Sequence, residues 1–114
     1  MSDERGLENV GHVWRVKPGK AEEYRRRHAT VWPELDAMMR TAGIHTYVIY
    51  IWGEIVFSHM AVEDYERVLE YGRDDPQLVA LAQRWEEEFA DLLEYPNADP
   101  ETGWPERIPE VWAL

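Results

Sequence analysis

Tyr24 and His28 stand four residues apart in the run Glu23-Tyr24-Arg25-Arg26-Arg27-His28. On a helix that spacing puts a phenol and an imidazole on one face, one above the other. The same helical face carries Leu35, Met38 and Ala42, so it points inward. Imidazole titrates near neutrality and is the best single acid/base among side chains. A tyrosine beside it orients hydroxyls or packs with its own hydroxyl satisfied. An inward Tyr–His pair is therefore either a hydrogen-bonded core pair or an acid/base site. Trp85 has the same ambiguity, as a core residue on an inward helical stripe or as an aromatic platform for a ligand. Arg25, Arg26 and Arg27 fall mostly on the outer face against Glu22 and Glu23, with Arg27 able to reach a buried carboxylate.

Several chemistries are absent from this composition. The chain has 114 residues and no cysteine, so it is one domain without disulfides, thiolate nucleophiles or thiolate metal sites. The four histidines, His12, His28, His45 and His59, show no ligand-pair spacing, and no metal is expected. There is no glycine-rich phosphate loop and no G-x-S-x-G elbow. The net charge of -11 repels phosphate backbones and anionic lipid, arguing against nucleic-acid and membrane partners. No apolar run approaches the ~20 residues of a membrane span. The polar stretch Met1–Asn9 reads as a loose arm without a secretory signal, and residues 10–114 as the folded domain. A reducing, cytoplasmic setting is expected.

The elements that must hold these residues follow from periodicity. Val10–Val16 alternates as a strand and is broken by Pro18-Gly19. Lys20–Ala42 has helical spacing with Pro33 inside it, which predicts a kink or restart near Thr30–Trp32, and Gly43 is a C-terminal cap. Ile44–Trp52 and Ile55–Val62 read as strands joined through Gly53-Glu54 in a type II′ turn. Tyr47 and Tyr50 fall on opposite faces of the first of these. Glu63–Tyr71 is helical, and Asp75-Pro76 starts a helix to about Leu93 with Leu78, Leu81, Trp85, Phe89 and Leu92 on one stripe. Tyr95–Pro109 holds most of the prolines and reads as a loop, followed by a short last strand at Val111-Trp112-Ala113. This order is the split βαβ pattern of an α+β, ferredoxin-like sandwich. Both faces of the central strands are apolar or aromatic, so the face away from the helices is expected to pack on a second copy, giving a homodimer of the dimeric α/β-barrel type. Six tryptophans in so short a chain suit a pocket that stacks sugar C–H faces on rings.

Glu23-Tyr24-Arg25-Arg26-Arg27-His28, then Trp32-Pro33-Glu34-Leu35, then Gly43 and Tyr47-Val48-Ile49-Tyr50, resemble the L-rhamnose mutarotases. The likeness continues through Gln83-Arg84-Trp85 and Pro96-Asn97-Ala98-Asp99 to Glu110-Val111-Trp112. It implies a dimeric ferredoxin-like enzyme without a cofactor that interconverts the α and β anomers of a pyranose, L-rhamnose or a related 6-deoxy sugar. By position His28 matches the family's proton-donating histidine. Tyr24 and Tyr47 match its sugar-contacting tyrosines, and Trp85 the first of a sugar-contacting tryptophan pair. Glu86 stands where the second tryptophan is expected, a carboxylate in place of a stacking surface and a candidate partner base. The segment Asn97-Ala98-Asp99-Pro100 and the Gly103-Trp104-Pro105 after it also depart from the family pattern. The fold hosts other chemistries, so two alternatives accompany this reading. One is a cofactorless monooxygenase-type enzyme, the other a non-catalytic sugar-binding dimer.

Overall fold

The computed structural model describes residues 6–94 and 104–114. Strand β1 spans Glu8–Arg15, β2 Ile44–Trp52, β3 Ile55–Val62 and β4 Glu106–Ile108. Helices α1 (Ala21–Arg27) and α2 (Pro33–Thr41) connect β1 to β2, and α3 (Tyr65–Asp74) and α4 (Pro76–Phe89) connect β3 to β4. The sheet order is β2-β3-β1-β4, and every neighbouring pair is antiparallel. This is the α+β ferredoxin-like topology, with all helices on one face of the sheet.

Local chemistry accounts for the elements and their ends. Strand β1 begins at Glu8, inside the stretch read as an arm; residues 1–5 lie outside the described ones. Gly53 takes φ 61°, as the type II′ turn between β2 and β3 requires, while no non-glycine residue among the described residues has positive φ. Gly43 ends α2 at φ 95°, a backbone conformation glycine adopts without strain. The single long helix read over Lys20–Ala42 is two helices. Pro33 cannot donate to the Ala29 carbonyl and forces Trp32 into extended backbone (φ -61°, ψ 129°), so the chain leaves the helix at His28 and restarts at Pro33. Asp75 joins α3 to α4. Its backbone N–H closes α3 on the Tyr71 carbonyl, and its carboxylate accepts from the Gln77 and Leu78 N–H groups that open α4.

The expectation for the last strand is corrected. Val111-Trp112-Ala113 has no strand structure; β4 lies earlier, at Glu106–Ile108, within the segment read as a loop. Proline flanks Glu106–Ile108 on both sides, which hid its strand character. Three residues suffice to pair with Gly11–Val13 of β1 as an edge. The rest of that loop reading, Tyr95–Gly103, lies outside the described residues.

The core fills the space between sheet and helices. One cluster joins Trp14, Val16, Tyr24, Val56, Phe89 and Leu92, and a second joins Val10, Ile44, Met60, Val62, Tyr65, Val68 and Leu69. A third, Leu35, Leu78 and Leu81, holds α2 on α4. Each fully buried aliphatic side chain contributes roughly 1.5–3 kcal/mol. The opposite face of the sheet exposes Val48, Tyr50, Trp52 and Phe57, with Tyr50 and Phe57 stacked at 5.6 Å.

Candidate active site

His28 is the first residue past α1. Its amide donates to the Arg25 carbonyl at 3.2 Å, which turns the chain. Its ring Nδ1 lies 3.0 Å from the Tyr24 carbonyl. A carbonyl only accepts, so Nδ1 carries the hydrogen and Nε2 is left as the reactive nitrogen. In the neutral ring Nε2 is a base, and after protonation it is an acid. Desolvation lowers the pKa of His28 below 6.5, while the bond to the Tyr24 carbonyl opposes that shift.

Aromatic rings surround this imidazole. Tyr24 and Phe89 approach it at centroid distances of 4.4 and 4.5 Å, and Trp85 meets it edge-on at 5.7 Å. Trp32 stands perpendicular to Trp85 at 5.0 Å. Tyr24 is buried, and its hydroxyl accepts a hydrogen bond from the Trp14 indole N–H at 3.1 Å. Burial raises the Tyr24 pKa well above the ordinary phenol range, so it stays protonated as a hydrogen-bond donor. The platform is held from below by Arg27, which donates to the Glu88 carbonyl and pairs with Asp91 at 2.9 Å and Glu23 at 2.9 Å. These carboxylates are half-exposed or exposed rather than buried. Arg27 thus locks α1 to the end of α4, and Glu23 also pairs with Arg26.

Tyr47 faces the helices from β2, as alternation from the exposed Tyr50 requires. It packs in the neighbouring core cluster against Trp104 at 6.2 Å, not in the ring cluster around His28. Tyr47 lies close enough to Tyr24 to add to its cost of ionising. Burial pushes the Tyr47 hydroxyl up to about 12. Glu86 is exposed on α4, with its carboxyl pKa raised by partial desolvation. His45 and His59 serve surface pairs, with Glu63 at 3.1 Å and Asn9 at 2.9 Å. A depression of about 520 Å³ lies on the opposite face of the sheet, lined by Gly11, His59, Ile108 and Trp112, away from His28.

Sequence reasoning missed three contributors. Trp14, Phe89 and His12 all share the helix-facing side with the residues above. The signals were present: Trp14 and His12 alternate in phase on β1, and Phe89 is four residues after Trp85. Position in a strand says which face a residue takes, but not that an indole ends on a particular hydroxyl.

No helix among the described residues is long and apolar enough to cross a membrane. A family profile described as L-rhamnose mutarotase matches residues 9–114. The L-rhamnose mutarotase of Verminephrobacter eiseniae is 38% identical over 78 residues, which is 68% of this chain and 71% of that one. An Escherichia coli L-rhamnose mutarotase is 35% identical over 89 residues, 76% of this chain and 80% of the relative. The fold is shared with the crystal structure of L-rhamnose mutarotase from Formosa agariphila, at TM-score 0.68, 20% identity and coverage of 94% and 98% of the two chains. It is shared also with a type-II polyketide cyclase of Streptomyces glaucescens, at TM-score 0.60, 17% identity and coverage of 94% and 96%. A match over nearly the whole chain, together with relatives above one-third identity, shows that the chain belongs to the L-rhamnose mutarotase family, carbohydrate isomerases that exchange the anomers of a sugar.

Proposed function

We propose that this chain is an aldose mutarotase acting on L-rhamnose or a related 6-deoxy pyranose, with His28 as its proton donor. The observation that carries the assignment is the His28 ring, tied at Nδ1 to the Tyr24 carbonyl and set among the rings of Tyr24, Trp85 and Phe89. Protonated at Nε2, His28 gives its proton to the ring oxygen. The anomeric hydroxyl loses its proton to water or to Glu86, whose raised pKa suits an acceptor. The O–H electrons become the carbonyl, and the bond from the anomeric carbon to the ring oxygen breaks. The freed aldehyde turns and the ring recloses by the same steps reversed, returning the proton to His28. No cofactor takes part. Tyr24 and Tyr47 stay neutral and orient sugar hydroxyls, and Trp85 stacks on the C–H face of the ring. The cysteine-free composition supports a cytoplasmic setting.

The active species is a homodimer packed through the outer face of the sheet. The exposed apolar side chains Val48, Tyr50, Trp52 and Phe57 support this reading. Phe57→Glu is expected to yield monomers by light scattering; an unchanged mass for the variant refutes that interface. Saturation-transfer NMR with L-rhamnose, L-fucose and D-glucose tests the activity. Faster anomer exchange for one sugar, lost in His28→Ala, establishes it. Exchange by His28→Ala at the wild-type rate removes His28 from the mechanism.

A further inference from the structure

On the helix-facing side of the sheet two small polar groups share one row. His12 and Ser58 are the buried polar residues of the described chain, at 0% and 5% exposure, and the β1–β3 register sets them opposite one another. Each keeps a buried polar atom without a hydrogen-bond partner among the described residues, Nδ1 of His12 and Oγ of Ser58. Such atoms destabilise a fold, so packing alone does not account for the pair. The rest of His12 is well held. Its Nε2 lies 3.0 Å from the Tyr65 hydroxyl, and its ring stacks on Trp104 at 5.5 Å and 12°.

This row runs between the two tyrosines of the site. On one side is the row Trp14–Val56–Ile51, where the Trp14 indole holds the Tyr24 hydroxyl. On the other is the row Val10–Met60–Tyr47. His12 is two residues from Trp14 on the same face of β1, a separation of about 7 Å, close to the width of one pyranose ring. The Ser58 hydroxyl lies near enough to Tyr47 to oppose its rise in pKa without reaching hydrogen-bond geometry.

We infer that His12 and Ser58 form the polar floor of the sugar site and bind one non-anomeric hydroxyl, so that they select aldoses carrying a hydroxyl rather than a hydrogen or methyl at that position. The inference rests on the mutarotase reading. A sugar hydroxyl donates once and accepts twice, which suits this pair. It accepts from Nδ1–H and donates to Ser58 Oγ when Tyr65 donates to Nε2. In the other tautomer it donates to bare Nδ1 and accepts from the rotating serine hydroxyl. Reaching the floor displaces the Trp104 ring from its stack on His12. A site built with such groups rejects an analogue lacking the hydroxyl strongly, because its own polar atoms then stay unpaired.

The test compares wild type, Ser58→Ala and His12→Phe by saturation-transfer NMR. The sugars are the aldose that wild type exchanges fastest and its monodeoxy analogues. Wild type should discriminate against one analogue by roughly a hundredfold or more. In either variant that ratio should collapse to below about tenfold, through loss of the parent sugar, with Tm unchanged or raised in Ser58→Ala. Retained discrimination in Ser58→Ala, the variant that removes only an unpaired hydroxyl, overturns the inference, as does a fall in parent and analogue alike. If wild type exchanges no sugar, the mutarotase reading fails and calorimetric titration of the same panel decides the floor. Binding by wild type that both variants lose supports it; equal binding, or none, overturns it.

Discussion

His28 and His12 are the two histidines on the inner side of this molecule, and their surroundings treat them oppositely. His28 has its Nδ1 tied to a backbone carbonyl within its own turn, is half-buried, and has its ring set among those of Tyr24, Trp85 and Phe89. His12 has its Nε2 tied to a phenol from another element, is wholly buried, and keeps an unpaired Nδ1. Desolvation lowers both, and Arg107 lowers His12 further, to about 4. An imidazole at 4 is almost never charged at neutral pH. It serves as a hydrogen-bonding group, whereas one displaced less and open on one side can cycle a proton. The second nitrogen's partner and the depth of burial, rather than residue type, separate the roles.

The largest effect that would break this contrast is at His28. His28→Ala should lower anomer exchange by ~10²–10⁴-fold with little change in Tm, since the ring is half-exposed and ends a helix. The pH profile sharpens the point. With His28 as the acid, kcat/KM falls as pH rises through a midpoint below 6.5; a profile without that falling limb removes His28 as the acid. His12→Phe should leave the midpoint of that limb in place.

The next effect belongs to His12 and is one of stability. Unfolded, it titrates near 6.5; folded, near 4. Between those values the unfolded chain binds a proton that the folded chain refuses. Stability is therefore full above 6.5, falls as pH drops toward 4, and levels off below. The loss is of order 3 kcal/mol at full protonation. His28 adds a loss of the same sign, and Glu23, held down to about 2 by Arg26 and Arg27, adds one only below 4.5. Chemical denaturation at pH 7 and pH 4.5 should show that His12→Phe removes most of the drop across this window. An unchanged drop would mean that His12 is not the group titrating.

The smallest effect separates the two histidines by their partners. Tyr65→Phe removes the phenol facing His12 Nε2 and should lower stability by ~1 kcal/mol, a Tm shift of roughly 4–8 °C, while the pH limb set by His28 stays put. Movement of that limb would show the two sites to be electrically one.

Periodicity was enough for β1, β2 and β3, because their β-branched and aromatic runs largely alternate and Gly53 allows one turn between β2 and β3, even with the register shift between Ile44 and Thr46 and the buried run Met60–Val62. It was enough also to put Tyr24 and Trp85 on the inward side and to set Tyr47 and Tyr50 on opposite faces. It failed where one residue changes the path of the chain or where pairing is short. Pro33 turned a kink into a gap that made His28 a helix end. The proline-flanked Glu106–Ile108 found β1 before the more strand-like Val111–Ala113 could. His12 was legible as inward on β1, but its partners come from β3, α3 and the segment at Trp104. No spacing within ten residues predicts them.

Asp75 gives the molecule a mechanical linkage. Because one residue ends α3 with its amide and begins α4 with its carboxylate, the two helices share a latch. Leu78, in the first turn after the latch, packs with Leu35 and Leu81 under Trp32 and Trp85. Slack at that junction travels along α4 to the indoles beside His28. The stiffness of the ring cluster around His28 is thus set in part by a carboxylate ten residues upstream of Trp85, and amide exchange across α3 and α4 should open as one cooperative unit rather than two.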